Sequence, residues 1–381
     1  MPYEILSLLY TFGIRSEHWL YKQITGLKKY RVYVVTYKYI NQREYPYFPV
    51  KILPLSGRIT RKILKLPIFL WKKERPRLDL REILIISQII EREKIKLIQA
   101  HFGWTGWRFL ELSSKFSLPY LVWLYGSDVF RAEHQSSLQE LIASRAIFCC
   151  TSNALREQIE AFGCARERIN VFHPGIEIPP NPPKPSLSSH QTLKIISIGR
   201  LVDVKDPIGL VEVAKILKDR GIKFLWKHYG DGQLRPLVKE KIKKYHLEKN
   251  FFLQGEVPNQ KIKEAMSSAD LMVHNNIIAP DGAREAFGVV LVEASSYALP
   301  IVSVRVGGIP EIVQDQKTGF LLEMGDLEGI AEKVILLAKN PELRLRMGQN
   351  AYQYVRENFE INQQTKKLES FYSHIINAYR L

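Results

Sequence analysis

Cysteine is scarce. The chain has three in 381 residues, Cys149, Cys150 and Cys164, two of them adjacent and none in a C-x-x-C pair. Such a count excludes a disulfide framework and a thiolate zinc site, and a reducing compartment is expected. No uninterrupted apolar run approaches the roughly 20 residues of a spanning helix, so any membrane contact should be peripheral. The opening MPYEILSLLYTFG is apolar but has neither a cationic segment nor a small-residue cleavage site, and it reads as a first strand rather than a signal peptide. No D-x-D triplet offers a metal site. Gly230-Asp231-Gly232 lacks the third glycine of a dinucleotide fingerprint. Acidic residues are the minority: 39 Asp+Glu against 55 Lys+Arg leave a net charge of +16, which suits anionic lipid, nucleic acid or phosphorylated substrates without choosing among them.

What is present is globular. With 46% hydrophobic and 25% charged residues, the chain can bury sizeable cores, and its length predicts two to three domains. Short apolar runs alternate with helical patterns: EILSLLY, a helix from about Glu17, YRVYVVTY, IKLIQAHF, YLVWLYG and AIFCCTS. That alternation is the mark of βαβ units around a parallel sheet. Residues 178–190, IPPNPPKPSLSSH, hold five prolines and three serines and read as a linker. The pattern then resumes with TLKIISIGR, IKFLWKHYG, NFFLQGEV, DLMVHNN, LPIVSVRVGG and GFLLEMG. The expected organisation is a domain over 1–178, a linker over 179–190 and a second doubly wound domain over 191–361. The charge excess is +11 through residue 180 and +5 beyond it.

The chemistry-bearing residues concentrate in the second half. A glycine ending a parallel strand, Gly199, puts Arg200 and Lys205 at the carboxyl edge of the sheet, where open α/β folds bind ligands. A guanidinium fork and an ammonium in one loop can clamp a diphosphate and stabilise the charge that grows as it leaves. Downstream, GAREAFGVVLVEA places Glu285 in a loop and Glu293 in the second turn of a helix beginning at Val289. The helix start, around Phe287, Gly288 and Val289, offers N–H groups to an anion. Two carboxylates suit vicinal hydroxyls, one set on a sugar and one on a ribose. Singly, either glutamate is explained by a helix dipole, and lysine or arginine in a surface loop is often only solvated. Gly307-Gly308 marks a turn where backbone can approach a ligand closely, or simply a tight strand-to-helix turn.

The run from GRLVDVKD through GDGQL, LQGEV and APDGAREAFGVVLVEASSYALPIVSVRVGGIPEIVQDQKTGFLLEMGD resembles the donor half of glycosyltransferase family 4. TFGIRSEHWLYKQITGL, IQAHFGWTG, YGSDVF and VFHPGIE are similar to its bacterial exopolysaccharide and colanic-acid-type members. The resemblance implies the GT-B fold: two Rossmann-like doubly wound α/β domains facing across a cleft, with a last helix, 362–381, returning to the first domain. It implies a retaining hexosyltransferase. Arg200 and Lys205 would clamp the diphosphate, Glu285 would hold the donor sugar and Glu293 the ribose. The backbone of Phe287, Gly288 and Val289 would cradle sugar and phosphate. Gly13 would leave room for the diphosphate, and His101 would sit in the cleft facing the acceptor, although a histidine hydrogen-bonded at a strand end is the plainer reading.

Two positions depart from the family. Tyr125, followed by Gly126, Ser127 and Asp128, stands where relatives usually have histidine, and a phenol with a pKa near 10 is a poor base at neutral pH. Asn275-Asn276 replaces the more usual Pro-Ser pair. The implied co-substrate is a UDP- or GDP-linked sugar, with no cofactor and no required metal, and the implied acceptor is a glycan or polyprenyl-linked hydroxyl in polysaccharide biosynthesis. Residues 51–77 carry nine Lys/Arg and one acid, Glu74, interleaved with apolar residues, as in an interfacial segment on an anionic membrane or a domain helix with a solvated basic face. The expected location is cytoplasmic, peripheral on the inner face of the cytoplasmic membrane. A nicotinamide oxidoreductase lacks its glycine fingerprint here, and a nucleic-acid-binding protein lacks a recognisable motif, so no nucleic acid is expected.

Overall fold

The structure, a computed structural model, describes residues 3–54, 78–181 and 192–379. The basic segment expected over 51–77 therefore lies outside the described residues beyond position 54, and the linker over 179–190 does so beyond position 181. The chain divides into two compact units, one of Met1–Thr151, Arg156–Pro174 and Gln364–Leu381, the other of Ser152–Leu155 and Gly175–Gln363.

The first unit is built on seven parallel strands: β1 (Tyr3–Phe12), β2 (Tyr30–Tyr39), β3 (Val50–Ile52), β4 (Ile95–His101), β5 (Tyr120–Leu124), β6 (Ile147–Cys150) and β7 (Ile169–Val171), in the order β3-β2-β1-β4-β5-β6-β7. Helices cover both faces, so the strands are apolar on both sides rather than alternating. Ile5, Leu9, Val32, Leu97, Leu121 and Trp123 form one core with Leu368 and Tyr372 of the last helix, Ile361–Ala378. That helix is tied down by polar contacts as well. The buried Glu369 carboxylate accepts from the backbone N–H groups of Lys28 (2.6 Å) and Lys29 (2.7 Å). The helix Leu80–Arg92 opens with a capping box in which Asp79 and Glu82 satisfy each other's backbone N–H groups. The same Glu82 carboxylate is fully buried and takes the Arg108 guanidinium at 3.0 Å on both oxygens.

The second unit has six parallel strands: β8 (Leu193–Ile198), β9 (Phe224–Tyr229), β10 (Phe251–Gly255), β11 (Leu271–Val273), β12 (Ile301–Val304) and β13 (Gly319–Leu322), in the order β10-β9-β8-β11-β12-β13. One face packs Ile195, Trp226 and Val302 on Leu210, Val213 and Leu217 of the helix Pro207–Asp219. The other packs Ile196, Met272 and Ile301 on Leu291 and Val292 of the helix Val289–Ser296.

Both sheets share one topological feature. Strand order reverses between β1 and β4 in the first and between β8 and β11 in the second, so the crevices outside these strand ends are where ligands bind in doubly wound sheets. The residues placed there are Gly13 and His101 in one unit, Gly199 and His274 in the other. Every strand anticipated above is present. The short edge strands β3 and β7 were not anticipated, and Lys51 and Ile52, read as part of a basic segment, belong to β3.

Candidate functional site

In the second unit the loop after β8 is fastened from one side by its neighbours. Gly199 N–H donates to Tyr229 O (2.9 Å), Leu201 N–H to Asp231 O (3.0 Å), and Leu234 N–H to Leu201 O (3.0 Å). Gly230, at φ +129°, has no room for a side chain, because a Cβ there would lie 2.0 Å from Gly199 O. The Gly-Asp-Gly turn is thus a clamp on the loop carrying Arg200. A buried relay adds to it. The Trp226 indole N–H donates to Ser197 Oγ (2.9 Å), Ser197 meets His228 Nδ1 (2.9 Å), and His228 Nε2 reaches Gly199 O (3.1 Å). Since a carbonyl only accepts and an indole only donates, the proton must sit on Nε2 and the serine hydroxyl must donate to Nδ1. Burial pushes His228 down to about 4, which keeps that neutral tautomer.

Arg200 extends from this loop with an exposed side chain. Lys205 ends the 3-10 turn Asp203–Lys205, and the chain then reverses through Asp206, at φ +33°, into the helix Pro207–Asp219. The Asp206 carboxylate caps that helix by accepting from Gly209 N–H (3.0 Å) and also accepts from Asn275 Nδ2 (2.7 Å) at the end of β11. Asn276 Nδ2 donates to Val204 O (3.1 Å). The two asparagines therefore stitch the β11 end to the Lys205 turn.

Glu285 lies in the irregular segment after β11, and its carboxylate forms a direct ion pair with the Lys205 ammonium. Both side chains are largely buried. Burial acts to raise the Glu285 carboxyl, but the Lys205 charge and the neighbouring His274 outweigh it and hold the group well below the usual carboxylate range. Glu293 falls in the second turn of the helix Val289–Ser296, which is entered through Gly288 at φ +99° without a side-chain cap. Phe287 points its ring into the core against Phe359, so only its backbone faces the helix start. The sites expected at Lys205 and Glu285 are thus brought together, with Arg200 on the adjoining loop and Glu293 one helical turn beyond the Gly288 entry.

The glycine pair is a point of close approach between two parts of the chain. A Cβ at Gly307, φ +54°, would stand 1.7 Å from Glu285 O, and one at Gly308 would stand 2.5 Å from Ala286 O. The pair admits the backbone of the Glu285 segment itself.

Gly13, His101, Tyr125 and Asp128, singled out in the sequence, fall in the first unit. A Cβ at Gly13, φ +85°, would lie 2.2 Å from Ile40 O, so the crossing of the Ile40 backbone already requires a glycine here. His101 has the hydrogen bonds of the plainer reading, a histidine held at a strand end. It is fully buried at the end of β4, with Nε2 on Ser7 Oγ (2.9 Å) and Nδ1 on the Tyr125 hydroxyl (2.7 Å), and burial pushes it down to about 3. Asp128 is buried too, and accepts from the N–H groups of Gly103 (2.8 Å), Tyr125 (3.0 Å) and Gly126 (2.8 Å). It holds a turn. Burial raises it to about 6 although these N–H groups favour the anion. Tyr125, beside them, is half-buried.

Sequence reasoning missed His228, His274 and the role of the two asparagines. The available signal was polar residues at the carboxyl ends of otherwise apolar runs. Among the described residues, no group of three or more His, Cys, Asp and Glu is arranged to hold a metal ion, and no helix is long and apolar enough to cross a membrane.

Two doubly wound parallel domains, the second presenting a cation–carboxylate pair beside an uncapped helix start at its switch point, define the GT-B class. The family model "Glycosyltransferase Family 4" matches residues 24–178 and the model "Glycosyl transferases group 1" matches residues 181–354. The chain belongs to the glycosyltransferase family that these two models describe. It is 32% identical over 223 residues to the amylovoran biosynthesis glycosyltransferase AmsK of Erwinia amylovora, covering 56% of this chain and 54% of that one. It is 27% identical over 214 residues to the putative colanic acid biosynthesis glycosyltransferase WcaL of Escherichia coli, covering 55% and 53%. The chain thus spans about half the length of these curated relatives. Its fold is that of Anabaena Alr3699/HepE, whose crystal structure is a complex with UDP, with a TM-score of 0.77 at 18% identity over 97% of this chain and 100% of the other.

Proposed function

We propose that this protein is a retaining, metal-independent glycosyltransferase that moves a hexosyl unit from a UDP- or GDP-linked sugar to a hydroxyl of a glycan or polyprenyl-linked acceptor in polysaccharide biosynthesis. The observation that carries the reading is the Lys205–Glu285 pair at the carboxyl edge of the second sheet, next to the clamped Arg200 loop. An ammonium and a guanidinium there supply the positive charge a departing diphosphate needs, and a carboxylate kept ionised beside them accepts hydrogen bonds from sugar hydroxyls. Glu293 takes the ribose, and the N–H groups at the Gly288 entry take phosphate oxygens. The new bond joins the acceptor oxygen to the anomeric carbon as the bond to the β-phosphate oxygen breaks. The acceptor proton passes to that phosphate oxygen on the same face of the sugar, so the configuration is retained and no protein base is needed.

Relatives and a neighbour support the same direction: AmsK and WcaL carry polysaccharide-biosynthesis names, and the Alr3699/HepE structure holds UDP. Residence at the inner face of the cytoplasmic membrane is supported by the nine Lys/Arg in residues 51–77 and by exposed Phe48, Leu80 and Leu84 on either side.

The test is a thermal-shift and turnover screen of the full chain with UDP-, GDP- and ADP-sugars, with and without EDTA, reading the product anomer by NMR. A bound ligand at a hundred times its Kd stabilises by about 2.7 kcal/mol. Binding of one class, turnover in EDTA and an unchanged anomeric configuration are expected. No shift with any nucleotide sugar overturns the donor reading, and strict dependence on magnesium during chemistry overturns metal independence. Sedimentation free of anionic vesicles at low salt overturns the membrane reading.

A further inference from the structure

His274 is the first residue after β11, at the switch point of the second sheet, and only 3% of its surface is exposed. Its backbone is fixed on both sides: its N–H donates to Val302 O (3.0 Å), and its carbonyl accepts from Ser303 Oγ (2.7 Å). Its side chain is less settled. Nε2 is buried with no hydrogen-bond partner, and it stands 3.7 Å from Glu285 Oε2, beyond hydrogen-bond range but with nothing else to serve. A buried polar atom left this way is uncommon and asks for an explanation.

The arrangement of charges suggests one. Lys205 now neutralises Glu285. On the donor reading above, on which this step rests, the Lys205 ammonium is also the group that must meet the diphosphate. It cannot fully satisfy both. Its flexible stem can swing to the phosphate, whereas the Glu285 segment is backed against Gly307 and Gly308 and has little freedom to follow. Glu285 would then be a buried carboxylate deprived of its cation.

We infer that His274 is a positioning residue for Glu285: when the diphosphate draws Lys205 away, His274 Nε2–H closes onto the Glu285 carboxylate and holds it for the donor's sugar hydroxyls. The carboxylate only accepts, so Nε2 carries the proton in this contact. Burial lowers the imidazole's affinity for a second proton and outweighs the opposing pull of the Glu285 carboxylate in the empty site. Glu285 keeps lone pairs for the sugar because one N–H takes only one of its sites. The ion pair of the empty site is thus a resting arrangement, exchanged on loading for two separate contacts.

The inference separates recognition of the sugar from recognition of the nucleotide. Titration calorimetry of wild type, His274→Phe and His274→Gln would compare a free nucleoside diphosphate with the corresponding nucleotide sugar, with melting temperatures recorded alongside and kcat and KM measured separately. His274→Phe should bind the free nucleotide within about twofold of wild type, bind the nucleotide sugar roughly 5- to 30-fold more weakly and turn over more slowly. His274→Gln, which retains an N–H donor, should recover most of the loss. In a Glu285→Gln background, His274→Phe should have little further effect on sugar recognition. Equal loss of both ligands, no loss of either, or a folded His274→Gln no better than His274→Phe overturns the inference. Wild-type protein that binds neither ligand overturns the donor reading instead, and this step with it.

Discussion

His228 Nε2 donates to the Gly199 carbonyl at 3.1 Å, and this contact ends a buried relay that begins at Trp226. The carbonyl belongs to the residue before Arg200, so a side chain 29 residues downstream sets the lean of the proposed phosphate loop. Replacing it with phenylalanine removes both hydrogen bonds of the imidazole, so the Gly199 carbonyl loses this donor and the Ser197 hydroxyl its acceptor, a cost of about 1–2 kcal/mol. The His228→Phe protein should therefore fold and bind nucleoside diphosphate roughly 5- to 30-fold more weakly by calorimetry. Unchanged affinity would mean that the backbone bonds to Tyr229 and Asp231 hold the loop alone.

Buried histidines also make stability depend on pH. His101 is held near 3 and His228 near 4, both below the ordinary 6.5. As pH falls from 6.5 towards 4, the unfolded chain takes up protons that the native state refuses, and stability drops. Asp128, raised to about 6, works against this: in the native state it keeps a proton that the unfolded chain releases above about 3.8, so it favours the fold as pH falls from 6. Two histidines with larger shifts outweigh one carboxyl. Urea midpoints should decline from pH 6.5 to pH 4.5, and the decline should be shallower in His101→Gln. A wild-type midpoint that stays level or rises over that interval would show that these histidines are not buried neutral.

The fold was legible because both sheets are sandwiched by helices, which makes the central strands largely apolar runs, as in YLVWL of β5. The edge strands β3 and β7, three residues each, are too short for any period to register. The Lys205–Glu285 contact could be anticipated from opposite charges in two segments suited to one anion. His228 and His274 could not, since a histidine after a strand looks the same in sequence whether it is solvated or buried. What decides is a partner brought in by the sheet: Gly199 from β8 for one, Glu285 from the next loop for the other. Gly307-Gly308 was visible as a place of close approach, but which chain approaches is a tertiary fact.

The glycines permit a paired test. Gly325 has φ +88° and open space around its missing side chain, whereas Gly307 has φ +54° and the Glu285 carbonyl 1.7 Å from where a methyl would go. Gly325→Ala should cost about 1–2 kcal/mol, the strain of the left-handed region alone. Gly307→Ala carries a similar strain and must also displace the Glu285 segment, adding about 1–3 kcal/mol as overpacking does. Denaturation should rank the variants in that order, and only Gly307→Ala should weaken nucleotide-sugar binding. Equal costs would mean that the Glu285 segment yields freely, which would also undermine the fixed backing assumed for that carboxylate.

Tyr125 gives the sharpest case in the first unit. Its hydroxyl meets His101 Nδ1 at 2.7 Å, and His101 Nε2 meets Ser7 Oγ at 2.9 Å, so the imidazole has both nitrogens engaged and no contact with solvent. Tyr125→Phe leaves the buried Nδ1 of His101 unpaired, at a cost of about 1–3 kcal/mol. If that cost arises from His101, it should shrink towards zero in a His101→Phe background, where no nitrogen remains to be stranded. A double-mutant cycle of urea midpoints reads this directly. Costs that simply add would mean the phenol acts through its half-exposed face rather than through the histidine, and would return Tyr125 to the status of a surface contact awaiting a ligand.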